Sequence, residues 1–139
     1  MRWSVVLHLV LAVAAVGAAV HAAVFARRSP DAARTRRLAG WALVASLAAY
    51  VVGALIYPTY KVEIRVAWLE QAHPEATRAF DLKEQLVALA LPMQLALWWL
   101  LRARAARPAL VRGLALATAA LLLTAALLAA GVETVHGHP

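Results

Sequence analysis

The sequence contains no cysteine, which excludes disulfide bonds, iron–sulfur clusters and thiolate chemistry and leaves the redox compartment open. It also lacks a nucleophile–base pair, a phosphate-binding loop and any metal motif of known spacing. No catalytic residue and no dedicated metal ligand set can therefore be named. These absences make an enzyme the second hypothesis for this chain, after a ligand-binding accessory protein and before a purely structural subunit.

Apolar residues, by contrast, are abundant. They make up 64% of the 139 residues, and the mean hydropathy is +0.72. A soluble domain is only about half apolar, and a small domain leaves a large share of its surface exposed. A chain of this size and composition must therefore be solvated by lipid.

Four apolar runs predict four transmembrane helices over residues 5–26, 38–56, 74–104 and 113–132, within one domain covering 1–139. About 20 residues span the hydrocarbon core, and the third run reaches that length only with a polar extension. The first run has 22 residues, whereas the apolar region of a signal peptide has about 7–15, so it is interpreted as a retained helix. The predicted fold is an all-α integral membrane four-helix bundle.

The placement of basic residues predicts the orientation. Nine of the fourteen Lys and Arg residues are arginines in two short segments, 27–37 and 102–112, each lying between apolar runs. Short loops rich in Lys and Arg stay in the cytoplasm. Both termini and the charge-balanced segment between the second and third helices are therefore expected outside a bacterial inner membrane. The net charge of +7 reports this orientation rather than a nucleic-acid partner.

The segment between the second and third helices begins at Tyr57–Pro58–Thr59–Tyr60, which is expected to end the second helix. In Lys61–Leu69 apolar and charged residues alternate, as in a strand, but no partner strand is available. We therefore favour a short amphipathic helix lying on the membrane. Pro74 occupies the first position of the third helix, and Pro92 is expected to kink it.

Small residues recur at four-residue spacing in the first two helices, a pattern that lets helix backbones approach closely. The stripes are Ala14, Ala18 and Ala22; Ala15, Ala19 and Ala23; and Ala45, Ala49 and Gly53. They predict a compact bundle.

Histidines gather at the predicted outer end. His8 lies about one turn inside it, and Glu133 and His136 lie at the end of the fourth helix. Imidazoles and a carboxylate at one level suit haem b or a divalent metal, while a core histidine beside a solvated tail is the plainer alternative. His21, near the opposite end, is interpreted as a hydrogen-bonded histidine between helices.

Lys83 and Glu84 are the strongest candidates for a polar site. Charged residues on helices usually pair three or four positions away; Glu75–Arg78 and Arg78–Asp81 do so in the sequence, whereas Lys83 and Glu84 have no such opposite charge. We therefore expect both to pair with other segments, Lys83 with Glu133 or Glu63.

Gln94 falls on the same face of the third helix as Lys83, so a polar stripe is expected to run from the outer face into the membrane. Such a stripe suits a quinone headgroup, a haem propionate or a lipid phosphate. The alternative is that Lys83 and Glu84 only extend their charged groups to the membrane–water interface, where the third helix enters the bilayer.

Residues 53–61 (GALIYPTYK) and 80–84 (FDLKE) resemble a family of small, uncharacterised bacterial four-helix membrane proteins. A histidine follows the Lys–Glu pair in that pattern; here the position is Gln85, so no ligand is expected there. The topology and His8 are also similar to the copper-resistance-D and protoporphyrinogen-oxidase group, which handles haem. That second resemblance implies haem binding and electron transfer.

The sequence thus predicts a small integral membrane subunit or accessory protein whose outer polar cluster binds haem, quinone or lipid. The residues of that cluster are His8, Lys83, Glu84, Gln94, Glu133 and His136. Alternatives are a membrane-embedded haem-dependent oxidoreductase and a purely structural subunit of a larger complex. The expected partners are the lipid bilayer and a second copy or larger membrane complex, with no nucleic acid.

Overall fold

The computed structural model describes residues 2–30, 32–103 and 107–136, and within these ranges the side chains of residues 2, 64, 67–69 and 133–136 are outside the description. The described residues form helices and no strand. In order they are α1 (Arg2–Arg28), α2 (Ala33–Tyr60), a π-helical segment (Lys61–Leu69), α3 (Glu70–Ala72), α4 (Pro74–Ala103) and α5 (Pro108–His136).

Four helices are long and apolar enough to cross a membrane: Trp3–Arg28, Ala33–Glu63, Pro74–Ala103 and Pro108–Val132. An 18-residue window in each has a mean hydropathy of 2.3, 2.0, 1.6 and 2.2, respectively. The predicted all-α four-helix fold is therefore confirmed, and the chain is a multi-pass membrane protein. Each observed helix contains or nearly contains its predicted span, with a few more residues at most ends.

The side chains are sorted by size as expected of a protein in lipid. Alanine supplies thirteen of the twenty buried hydrophobic residues described, while large side chains such as Trp3, Trp41 and Trp99 point outward. Since a soluble core is filled by large apolar residues, this arrangement indicates that helix packing depends on close backbone approach. Of the predicted stripes, Ala15, Ala19 and Ala23 are all buried.

The four long helices form a closed ring in which neighbours are antiparallel. α1 packs against α2 and α5, and α4 packs against α5 and, less extensively, α2. The start of α5 meets the end of α1, where Arg112 Nε donates to the carbonyl of Ala26 at 3.4 Å. The described arginines of the two short turns thus lie at one end, here called the arginine end. The opposite end, with residues 57–81, the start of α1 and the end of α5, is called the loop end.

At the arginine end the turn between α1 and α2 is closed by its own hydrogen bonds. The N–H of Ser29 donates to the Phe25 carbonyl at 2.8 Å, and the buried Thr35 hydroxyl donates to the Ser29 carbonyl at 2.9 Å. Arg34 stacks over the Phe25 ring at 4.1 Å. The turn is therefore fixed although it is only a few residues long.

The second α-helix ends within the predicted segment Tyr57–Tyr60, but the chain stays helical beyond it. α2 continues through Pro58 to Tyr60 and passes directly into the π-helical segment. Proline removes only one backbone N–H donor, and membrane helices tolerate that loss. In the wider segment that follows, the N–H of Glu70 donates to the Arg65 carbonyl, five residues back. Helix was correctly preferred over strand for Lys61–Leu69.

The start of α4 is as predicted. Pro74 is the first helical residue, and the N–H groups of Ala76 and Thr77 donate to the carbonyl of His73 at 3.1 and 3.2 Å. Because the first turn of a helix has unpaired N–H groups, a proline there sacrifices nothing. The helix then runs without interruption through Pro92 to Ala103.

Candidate functional site

His8 of α1 lies in the interface with α2, near the loop end. Its Nδ1 lies 2.9 Å from the carbonyl oxygen of Ala49. A Cβ placed on Gly53, one turn further along α2, would be 3.0 Å from His8 Cε1 and 3.2 Å from Nδ1. Gly53 therefore leaves the space that the imidazole occupies, which gives the third small-residue stripe a local role.

The hydrogen bond also assigns the tautomer of a neutral His8. A carbonyl oxygen only accepts, so Nδ1 carries the proton and Nε2 keeps its lone pair. Histidines that bind metals commonly donate their other N–H to a carbonyl in this way, which fixes the ring and leaves one nitrogen for the ligand. His8 is thus held in a form that suits an axial ligand.

The predicted stripe on α4 does face into the bundle. Lys83 and Val87 are partly buried, and exposure falls to 0% at Ala90 and 2% at Gln94. Among the residues that the structure describes, neither amide atom of Gln94 finds a hydrogen-bond partner. The stripe therefore ends in an unsatisfied amide in the centre of the bundle.

His8 and Lys83 lie at one level of the bundle. Gly40 of α2 lies against the Trp98 side chain of α4. These helices are antiparallel, so thirteen residues toward the loop end lead from Gly40 to Gly53 on α2 and from Trp98 to residue 85 on α4. Gly53 is therefore level with residue 85. At about 1.5 Å per residue this level is about 20 Å from the Gly40–Trp98 contact. Since the Gly53 backbone lies against the His8 ring, helix register puts the histidine and Lys83 at a similar depth, although α1 and α4 lie diagonally across the bundle. This depth is here called the His8–Lys83 layer.

This layer separates two hydrophobic clusters. The larger cluster fills the bundle from the arginine end to Ala90 and Leu122, and the smaller one joins Ala76, Phe80 and Val132 at the loop end. Residues of α4 and α5 between these limits belong to neither cluster. The layer therefore lies between the two clusters, where α5 still contributes the buried Ala125.

Lys83 has partners on its own helix, which a search for opposite charges three or four positions away does not find. Its Nζ lies 4.0 Å from the centroid of the Phe80 ring and 4.0 Å from Glu84 Oε1. A cation over an aromatic ring is worth about 0.5–2 kcal/mol. The sequence signal for this contact was Phe80, an aromatic residue three positions before Lys83. The Lys83 side chain is 20% exposed and that of Glu84 52%, so only Lys83 is held inside the bundle.

The remaining predicted site residues are only partly placed. Glu133 and His136 belong to the last turns of α5 at the loop end, but their side chains lie outside the described residues. The ion pair between Lys83 and Glu133 therefore stays a prediction. His21 is exposed, and its Nδ1 donates to the Gly17 carbonyl on its own helix at 2.7 Å, so its predicted bond between helices is not formed.

Arg65 forms the most extensive polar network described, and sequence reasoning missed it. Its Nε donates to Glu70 Oε1 at 2.9 Å, and its two Nη atoms lie 2.9 and 3.1 Å from the two carboxylate oxygens of Asp81. Nη1 also donates to the Tyr57 hydroxyl at 3.3 Å. The π-helical segment is thereby fastened to α2, α3 and α4.

The electrostatics of Arg65 follow from these contacts. The hydrogen bond that Arg65 donates to Glu70 raises the pKa of Arg65 above its ordinary value, Asp81 and Tyr57 add to that effect, and burial opposes it. Arg65 therefore carries its charge at neutral pH. Glu70 is five residues after Arg65, a spacing that aligns side chains in a π-helix but not in an α-helix.

Within the described part of the chain, no three His, Asp or Glu side chains come close enough together to hold a metal ion. Comparison with protein-family models, curated proteins and solved structures finds no match for this chain.

Proposed function

We propose that the chain is a small integral membrane subunit or accessory protein that binds haem b in the His8–Lys83 layer. The hydrogen bond from His8 Nδ1 to Ala49 carries this proposal, because it leaves Nε2 available as an axial ligand. Lys83, at the same level on α4, supplies a cation for a propionate. Glu84, Gln94, Glu133 and His136 remain the further predicted contacts of the ligand.

A purely structural subunit is the second candidate. The observation that favours it is the close helix packing through buried alanines, which needs no cofactor. The two functions differ in their absorption spectra. Full-length protein made with excess haem should show a Soret band if the first proposal is correct, and a spectrum without that band would leave the structural subunit.

Substitutions at Gly53 and His8 test the ligand directly. In Gly53→Ala the new methyl group meets the tip of the His8 side chain, so we expect the ring to turn, the fold to persist and most of the Soret absorbance to be lost. His8→Ala should remove the band. Gly17→Ala is the matched control, since no heavy atom lies within 4 Å of the added Cβ. An unchanged band in His8→Ala would show that another residue binds the iron.

The orientation is proposed from the arginine end: that end faces the cytoplasm of a bacterial inner membrane, and the His8–Lys83 layer lies toward the outer face. We expect alkaline phosphatase fused after Pro139 to be active, and the same enzyme inserted into the full chain between Ala103 and Pro108 to be inactive. The opposite pattern of activity would show that the protein has the inverse orientation, with the His8–Lys83 layer near the cytoplasmic face.

A further inference from the structure

A groove of about 550 Å³ opens between α2 and α4 at the arginine end, far from the His8–Lys83 layer. Its volume falls within the range of about 300–1,000 Å³ for small-molecule sites. It lies along the least extensive interface between neighbouring long helices. Gly40 contributes to this opening, because it places no side chain between the helices.

The groove is cationic at its mouth and apolar further in. Arg36, Arg37 and Arg102 line the mouth, and Leu43 and Leu47 continue the wall along α2. From Arg36 to Leu47 is eleven residues, or about 16 Å along the helix. The groove therefore runs from the level of lipid headgroups into the hydrocarbon region.

The three arginines lack carboxylate partners among the side chains that the structure describes. In the two arginine-rich segments the sequence offers one acid, Asp31, against nine arginines. Arg102 is further oriented by Trp98, whose ring lies 4.8 Å from its guanidinium carbon. The charges at the mouth are thus directed at an anion from outside the chain.

We propose that this groove binds an anionic phospholipid, with its phosphate at Arg36, Arg37 and Arg102 and an acyl chain along Leu43 and Leu47. Guanidinium groups bind phosphate in a bidentate manner, and basic pockets between transmembrane helices recognise acidic headgroups. The wall behind the mouth is apolar, as an acyl chain requires. A lipid explains the cationic and the apolar part together, whereas a free phosphate explains only the first.

The test is titration of full-length protein in detergent with phosphatidylglycerol or phosphatidylcholine, with bound lipid counted by native mass spectrometry. We expect one phosphatidylglycerol per chain, bound at least tenfold more tightly than phosphatidylcholine. Arg36→Gln combined with Arg102→Gln should abolish that preference. Gly40→Leu should weaken binding of both lipids about tenfold while all charges remain, because the leucine side chain fills the groove.

The control combines Arg27→Gln with Arg107→Gln, which removes the same charge from exposed positions outside the groove and should leave binding unchanged. Equal losses in the control would mean that general surface charge attracts the lipid, and the proposal would fall. It would also fall if phosphatidylcholine bound equally well, or if inorganic phosphate displaced the phosphatidylglycerol.

Discussion

Arg65→Met should lower the free energy of unfolding by about 2 kcal/mol, whereas Arg78→Met should change it by less than about 0.5 kcal/mol. The measurement is equilibrium unfolding of the purified protein in mixed micelles. Arg65 makes a bidentate pair with Asp81 and further bonds with Glu70 and Tyr57. Arg78 is an exposed arginine on α4, one turn before Asp81.

The magnitude follows from burial. An exposed ion pair contributes about 0–1 kcal/mol, while the loss of one partner from a desolvated pair costs about 3–5 kcal/mol. The Arg65 side chain is 19% exposed, but its partners Glu70 and Asp81 are 43% and 44% exposed. The carboxylates left behind remain partly hydrated, so the effect lies between the two limits.

The pH dependence of this contribution has a defined sign. A group whose pKa is raised on folding stabilises the fold fully below its unfolded pKa, and that contribution is lost as pH rises through the folded pKa. For arginine both pKa values lie far above neutral pH, so titration of Arg65 itself does not change stability at any ordinary pH.

A double-mutant cycle identifies the partner. If Asp81→Asn is made in the Arg65→Met background, it should cost less than in the wild-type protein, since the bidentate pair is already gone. The same cycle with Arg78→Met should show no coupling. Two outcomes would contradict the Arg65–Asp81 pair and favour the Arg78–Asp81 pair that helical spacing predicts. One is equal destabilisation by Arg65→Met and Arg78→Met, and the other is coupling of Asp81 to Arg78.

Local spacing rules predicted the helices well and the contacts between segments poorly. The four spans followed from apolar run length, and the start of α4 followed from Pro74, because both depend on residues close in sequence. The Arg65–Asp81 pair joins residues sixteen positions apart and depends on a π-helical path. Asp81 therefore pairs with Arg65, where the spacing rule had assigned Arg78.

For the candidate site, too, local features could be predicted from the sequence and contacts between helices could not. The inward face of the Lys83–Gln94 stripe followed from helical periodicity. The register between helices could not be predicted in this way. It depends on where a small residue of one helix leaves space for a side chain of the next, as Gly53 does for His8. The groove at the arginine end was missed because its arginines were interpreted as orientation signals alone, while its walls come from α2 and α4 together.

Gln94→Met should raise the free energy of unfolding by about 1–3 kcal/mol. The Gln94 side chain is 2% exposed, and its Oε1 and Nε2 make no hydrogen bond to any residue that the structure describes. A buried amide without a partner loses its hydration and gains nothing in return. Methionine is unbranched and of similar shape, so it removes the polar atoms and fills the same space.

Thr118→Val is the control, because Thr118 is equally buried but its hydroxyl donates to the Leu114 carbonyl at 2.6 Å. A satisfied hydroxyl carries no such penalty, so the stability should change by less than about 1 kcal/mol. A loss of stability in Gln94→Met would show that the amide is held by a bond in the folded protein. A gain in stability together with loss of the Soret band would show that Gln94 serves ligand binding at a cost to the fold, as functional residues often do.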